Sequence, residues 1–167
     1  MNPRTCIPLL LLLFTGAQAA SPADRAFEAL ADEYVADLPR LSPVSATLIG
    51  DHSADGELDG VDAAARAATL ARLKGYEAAL EAIDRDALSR ANQVDAALLL
   101  HEVKSSIWSI ETLQEWAWNP LYYVSISGSG IYGLLARDFA PLTERLGSAA
   151  ARLEQLPKFL GQARASL

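Results

Sequence analysis

The stretch from Ser89 to Tyr123 carries the longest uninterrupted helical pattern in the chain and all three of its tryptophans. On a helical wheel Val94, Ala97, Leu98, His101, Ser105, Trp108 and Thr112 share one stripe, while Ala96, Leu99, Val103, Ile107 and Ile110 share the opposite one. Two apolar faces ask for neighbours on two sides, so the pattern predicts the central helix of a bundle, spanning roughly 36 Å. Trp108 is then a core residue, and Trp108→Ala should cost about 3 to 5 kcal/mol.

The rest of the chain arranges itself around that helix. Ser21-Pro22-Ala23-Asp24 opens a first helix with a capping hydroxyl, a proline at the first helical position and a carboxylate in the first turn. Its apolar stripe is Ala23, Phe27, Leu30, Ala31, Tyr34, Val35 and Leu38, and Pro39 marks its expected end. Ser42-Pro43 opens a short helix through Ile49, closed by Gly50, and an acidic loop follows from Asp51 to Gly60. A second long helix runs from about Val61 to Ile83, with Leu73, Tyr76, Leu80 and Ile83 inward, and Asp84-Arg85-Asp86 interrupts the pattern.

After Gln114, Asn119-Pro120 is a turn signal and Tyr122 to Ser127 is the one β-like run. A Gly/Ser stretch and a short helix from about Ile131 to Asp138 come next. Pro141 starts the last helix, in which Leu142, Leu146, Ala149, Leu153, Leu156, Leu160, Ala163 and Leu167 alternate four- and three-residue steps. Because the phase is kept across Pro157, one kinked helix is expected rather than two. The fold class is therefore all-α, an antiparallel bundle of five to six helices. The pattern runs to Leu167 without glycine, polar tail or cap, the ending expected of an incomplete domain.

Residues 1–19 read as a signal peptide: Arg4, an apolar run from Ile7 to Phe14, then Ala17-Gln18-Ala19, with cleavage expected before Ala20. The run falls far short of the roughly 20 residues that span a bilayer. Residues 20–167 then form an exported helical region, periplasmic or secreted. Cys6, the single cysteine, lies inside the signal, so disulfides and thiolate chemistry are excluded from the mature region. Removing Arg4 leaves 13 basic against 21 acidic residues, a charge of about −8, which disfavours nucleic acid and anionic membranes as partners.

Several motifs invite chemistry and fail on spacing. His101-Glu102 begins like a zinc-peptidase helix, but the position one turn on is Ser105, and the other histidine, His52, is distant. Gly128-Ser129-Gly130-Ile131-Tyr132-Gly133 matches G-x-G-x-x-G without the alternating strands and helices that a dinucleotide site needs. A Ser-His-Asp arrangement has no nucleophile elbow to support it. The loop from Asp51 to Asp62 comes nearer to a site. It places oxygen ligands at positions one, three, five, nine and twelve and glycine at six, close to an EF-hand, although Asp62 stands where the bidentate glutamate belongs. Trp116, Trp118, Tyr122, Tyr123 and Tyr132 form an aromatic group that either staples helices or lines a ligand subsite.

Three separate runs carry a family resemblance: Leu41 to His52 (LSPVSATLIGDH), Asn92 to Leu100 (NQVDAALLL) and Trp116 to Tyr122 (WAWNPLY). With Gly130 to Leu134 and Arg152 to Pro157, they resemble, in order, the N-terminal part of the bacterial family named domain of unknown function 885. The resemblance implies an exported, helical relative of zinc-dependent peptidases, several times longer than this chain. Its metal site would lie in a C-terminal His-Glu-x-x-x-x-His segment that this sequence does not contain. No catalytic, cofactor-binding or metal-ligating residue is therefore assigned, and zinc is implied only for the full-length family. The expected function is a scaffold or cleft-covering portion that is not catalytic alone, with a peptide substrate or a C-terminal domain as partner. The alternatives are a free-standing binding module using the Trp116–Tyr123 aromatics and, less prominently, calcium binding at Asp51–Asp62. The resemblance speaks against calcium, since the loop matches an ordinary acidic loop of the family.

Overall fold

The structure, a computed structural model, describes residues 21–167, among which the regular elements are all helical. The expected signal peptide lies outside the described residues. Six α-helices follow in order: α1 (Pro22–Leu41), α2 (Pro43–Ile49), α3 (Ala63–Glu81), α4 (Arg90–Trp108), α5 (Pro120–Ala136) and α6 (Leu142–Ser166).

The helix starts obey the local chemistry. Ser21 and Asp24 form a reciprocal capping box on α1, Asp62 caps α3, Ser89 caps α4, and Asn119 followed by Pro120 opens α5. Pro39 does not end α1, which continues to Leu41. A proline in the last turn removes one backbone bond, and the chain turns at Ser42, whose N–H still bonds Leu38 O and whose hydroxyl caps α2. Gly50 closes α2 at φ 101°, a left-handed position that suits glycine. The central pattern continues beyond Trp108 as a wider π turn, Ser109–Leu113, and ends at Gln114, itself left-handed at φ 51°.

The largest departure from expectation is α5. The β-like run, the Gly/Ser stretch and the short helix are one continuous helix. Of the glycines that looked like a turn, Gly130 and Gly133 are contact points: a Cβ on Gly130 would lie 3.1 Å from Leu58 Cδ2 and 3.2 Å from Val44 Cγ2, and one on Gly133 3.2 Å from Leu48 Cδ2. Neighbours brought that close specify glycine within a helix despite its poor propensity there.

Two groups of elements share the chain. In the first, α3 runs antiparallel to both α1 and α4, as the bonds from Arg72 to Asp37 and from Lys104 to Glu81 require, around Phe27, Tyr34, Leu73, Tyr76, Leu80, Leu100, Val103 and Ile107. In the second, α5 and α6 are antiparallel and enclose α2 and the 51–62 loop, with a small apolar cluster of Val61, Tyr123, Phe159 and Ala163.

Both long apolar stripes need correction. On α4 the covered face is Ala96, Leu100, Val103 and Ile107. The stripe containing Val94, Leu98, His101 and Trp108 is open, Trp108 being 52% exposed and not core. On α6 the leucines point outward: Leu142, Leu146, Leu153, Leu160 and Leu167 are each 48 to 56% exposed. The buried face is instead Arg145, Ala149, Arg152, Phe159 and Ala163, and α6 passes through Pro157 as a single helix.

Candidate functional site

Arg152 is the most enclosed large side chain among the described residues, with no measurable exposure. Its Nε donates to Glu57 O (2.8 Å), Nη1 to Gly130 O (2.7 Å) and Nη2 to Thr47 Oγ1 (2.7 Å), with Pro43 O and Ala54 O also in reach of Nη2. One guanidinium thus ties α2, the acidic loop and α5 to α6. Burial pushes it below its ordinary pKa, against the opposing pull of Asp55 and Asp59. Thr47 Oγ1 donates to Asp55 Oδ1 (2.6 Å), and His52 Nδ1 donates to Asp55 Oδ2 (3.0 Å) while its ring stacks on Phe139 at 3.5 Å.

The order of that chain rules out nucleophilic catalysis of the triad type. The carboxylate, not the imidazole, touches the hydroxyl, so His52 is not placed to take the Thr47 proton as a triad histidine does. The network is a polar tie.

The 51–62 loop is likewise spent on structure. Asp51 accepts from Ser53 N, Asp59 from Val44 N and Ser42 Oγ, and Asp62 from Ala65 N and Gln162 Nε2. The carboxylates diverge to serve different helix ends instead of converging on a cation, so the EF-hand arrangement is not formed. Among the described residues no group of three or more His, Cys, Asp and Glu side chains is placed to hold a metal. The two histidines lie apart, His52 against Phe139 and His101 exposed on α4, and do not fit the zinc implied for the family. Gly128 to Gly133 lie inside α5, where no phosphate loop exists.

The aromatic group divides. Trp116 and Tyr123 face inward: Trp116 Nε1 donates to Ile110 O, Arg66 lies 3.9 Å over its ring, and the Tyr123 hydroxyl donates to Trp116 O. Trp118 and Tyr132 are exposed, at 59% and 73%. The group therefore staples α5 to its surroundings and does not make a shared binding wall.

A concave feature that sequence reading missed lies between α1 and α4. These two run parallel, since Asp24 accepts from Ser89 N and Asn92 Nδ2 at one end while Tyr34 and Glu102 line the same groove toward the other. The groove between them has a volume of about 610 Å³. Phe27, Ala31, Tyr34, Val35, Leu98 and Leu99 give it an apolar lining, and Glu28, Asp32, Asp95 and Glu102 carry carboxylates along both edges. Burial raises the Tyr34 hydroxyl above its ordinary pKa, and the charge of Glu102 raises it further. The sequence signal was the open second stripe of α4 taken together with acids at 28 and 32 on α1.

Residues 43–167 match the family described as "Bacterial protein of unknown function (DUF885)". A solved structure, described as that of "a putative lipoprotein of unknown function from Shewanella oneidensis", superimposes with a TM-score of 0.78 at 33% sequence identity. The match covers 89% of this chain and 26% of that one, so the chain spans about a quarter of its solved relative. No curated protein matches.

Proposed function

The chain belongs to the DUF885 family of bacterial proteins, and we propose that it forms the N-terminal helical scaffold of an exported, zinc-dependent peptidase-like protein, without metal site or catalysis of its own. The observation that carries this reading is the row of half-exposed leucines on α6, in a chain that spans 26% of its solved relative. Such a row is a packing face that lacks its counterpart, and the occupant is the remaining part of the family fold. The zinc and peptidase elements rest on the family resemblance, and the residues of this chain supply no ligands for them. Export is supported by the leader pattern of residues 1–19 and by the solved relative's description as a lipoprotein. Among the described residues no helix is long and apolar enough to cross a membrane.

Two measurements test the reading. The Shewanella relative, supplied with zinc and a mixed peptide pool, should hydrolyse peptides and retain the metal, whereas this chain should do neither. Hydrolysis by this chain would overturn the scaffold role, and an inert, zinc-free relative would overturn the peptidase assignment. Separately, replacing Leu146, Leu153 and Leu160 together by serine should leave the helical circular dichroism intact and sharply reduce binding of a hydrophobic dye. Unfolding of that variant would mean that the row is internal to this fold and not a docking face.

A further inference from the structure

The α1/α4 groove is distinct from the α6 leucine row, on which the proposed scaffold role rests, and from the Arg152 network. Its walls are more apolar than a solvent-facing surface needs, with Val35 57% and Leu98 63% exposed beside the buried Phe27 and Tyr34. The groove runs along two parallel helices for roughly three turns, about 12 to 15 Å. Its apolar positions recur at 27, 31, 34 and 35 on α1 and at 98 and 99 on α4, a helical spacing that offers holes to the side chains of a third helix.

Charge decides what kind of helix fits. Glu28, which accepts from Asn92 Nδ2, and Asp32 line one edge, Asp95 and Glu102 the other, with His101 next to Glu102, and the ion pairs of Arg72, Lys74 and Lys104 involve none of the four carboxylates. Two rows of carboxylates either side of an apolar strip match an apolar ridge flanked on both sides by lysine or arginine.

We propose that the α1/α4 groove is a docking site for a basic amphipathic helix of a partner protein, whose apolar ridge packs on Tyr34, Val35, Leu98 and Leu99 between the carboxylates of Glu28, Asp32, Asp95 and Glu102. The contact is charge-steered, so it weakens as salt rises. Specificity resides in the edges: a helix with the same ridge but acidic flanks is rejected, because it would bring like charges together on both sides.

The test uses the intact chain and three labelled synthetic peptides of about 18 residues, long enough to cover three turns with spare ends. One has leucines on a single face flanked by lysines, the second has glutamates at the flanks, and the third has the first peptide's composition with its order scrambled. The lysine-flanked helix should bind in fluorescence anisotropy roughly tenfold or more tighter than either control. Amide resonances of residues 27–35 and 92–102 should move on binding. Neutralising the edges together, as Glu28→Gln, Asp32→Asn, Asp95→Asn and Glu102→Gln, should remove roughly tenfold of the affinity with unchanged circular dichroism. Equal binding of the scrambled peptide, resonance shifts confined to α6, or full competition by butylammonium at matched charge concentration would each overturn the proposal. The resonance mapping needs no variant, so it decides the matter even if the quadruple substitution does not fold.

Discussion

The helices α1, α3 and α4 and the assembly of α2, α5 and α6 solve the same packing problem in opposite ways. The first group fills its interior with aromatic and aliphatic side chains and keeps its cations outside, where Arg72 reaches Glu33 and the buried Asp37, and Lys104 pairs with Glu81. The second puts Arg145, Arg152 and Asp55 inside and turns the α6 leucines out. The same four-three spacing therefore means two things. Where the interior is apolar, the apolar stripe is the core; where a guanidinium satisfies otherwise stranded carbonyls, the apolar stripe is free to be an outer face.

The sharpest way to break this contrast is Arg152→Ala. It leaves Glu57 O, Gly130 O and the Thr47 hydroxyl without their buried donor, so urea unfolding should register a loss of roughly 4 kcal/mol or more. A loss near zero would mean that the second group stands on its small apolar cluster instead. Leu73→Ala is the matching probe of the first group, where a 3% exposed side chain should cost roughly 3 kcal/mol. Adding a methyl discriminates at finer scale. Gly130→Ala meets Leu58 and Val44 and should destabilise by about 1 to 2 kcal/mol, while Gly128→Ala meets nothing within 4 Å and should stabilise by up to about 1 kcal/mol. Trp108→Ala, on the open face of α4, should change stability by less than about 1 kcal/mol in thermal or urea melts.

Acid separates α1 and α3 from the start of α2 by sign. The Ser89 N–H bonded to Asp24 and the Tyr76 hydroxyl bonded to Asp37 hold both carboxyls below the ordinary value of 3.8. Their contribution is complete above that value and is lost as pH falls through the lowered ones. Asp59 is shifted the other way by burial, so its folded form gains relative stability on protonation. Amide exchange followed from about pH 4 down to about 2 should therefore open α1 and α3 before the start of α2. The reverse order would refute the assignment. In the alkaline direction burial, reinforced by Asp37, pushes the Tyr76 hydroxyl up to about 12, so its ultraviolet titration should fall above the ordinary tyrosine range.

These residues also mark where the sequence was legible. The starts of α1, α2 and α4 were readable because capping is local: Ser21, Ser42 and Ser89 act within one turn of themselves, whereas Asn119-Pro120 read only as a turn. The first group's core was readable in Phe27, Leu73, Tyr76 and Val103 because its burial is apolar. Gly130 and Gly133 were misleading because their reason is tertiary, the approach of α2 and Leu58 to α5. Arg145 and Arg152 were passed over because a charged residue on the stripe 145, 149, 152, 156, 159 and 163 is discounted by any hydrophobic count, although the stripe was present. The α1/α4 groove needed the parallel placement of two helices some 60 residues apart in sequence, which no local pattern encodes; its contacts span separations of 64 to 68.

The Arg152 network also sets an order in time. Its carbonyl partners lie from 22 to 109 residues upstream, so a chain made from its N-terminus holds the ends of α2 and the loop in water until most of its length exists. The α1, α3 and α4 group is complete in sequence by Trp108 and can close first. Pulse-labelled refolding should show amides of residues 63–81 and 90–108 protected before those of 43–49, and simultaneous protection would mean that the two halves of the molecule condense as one.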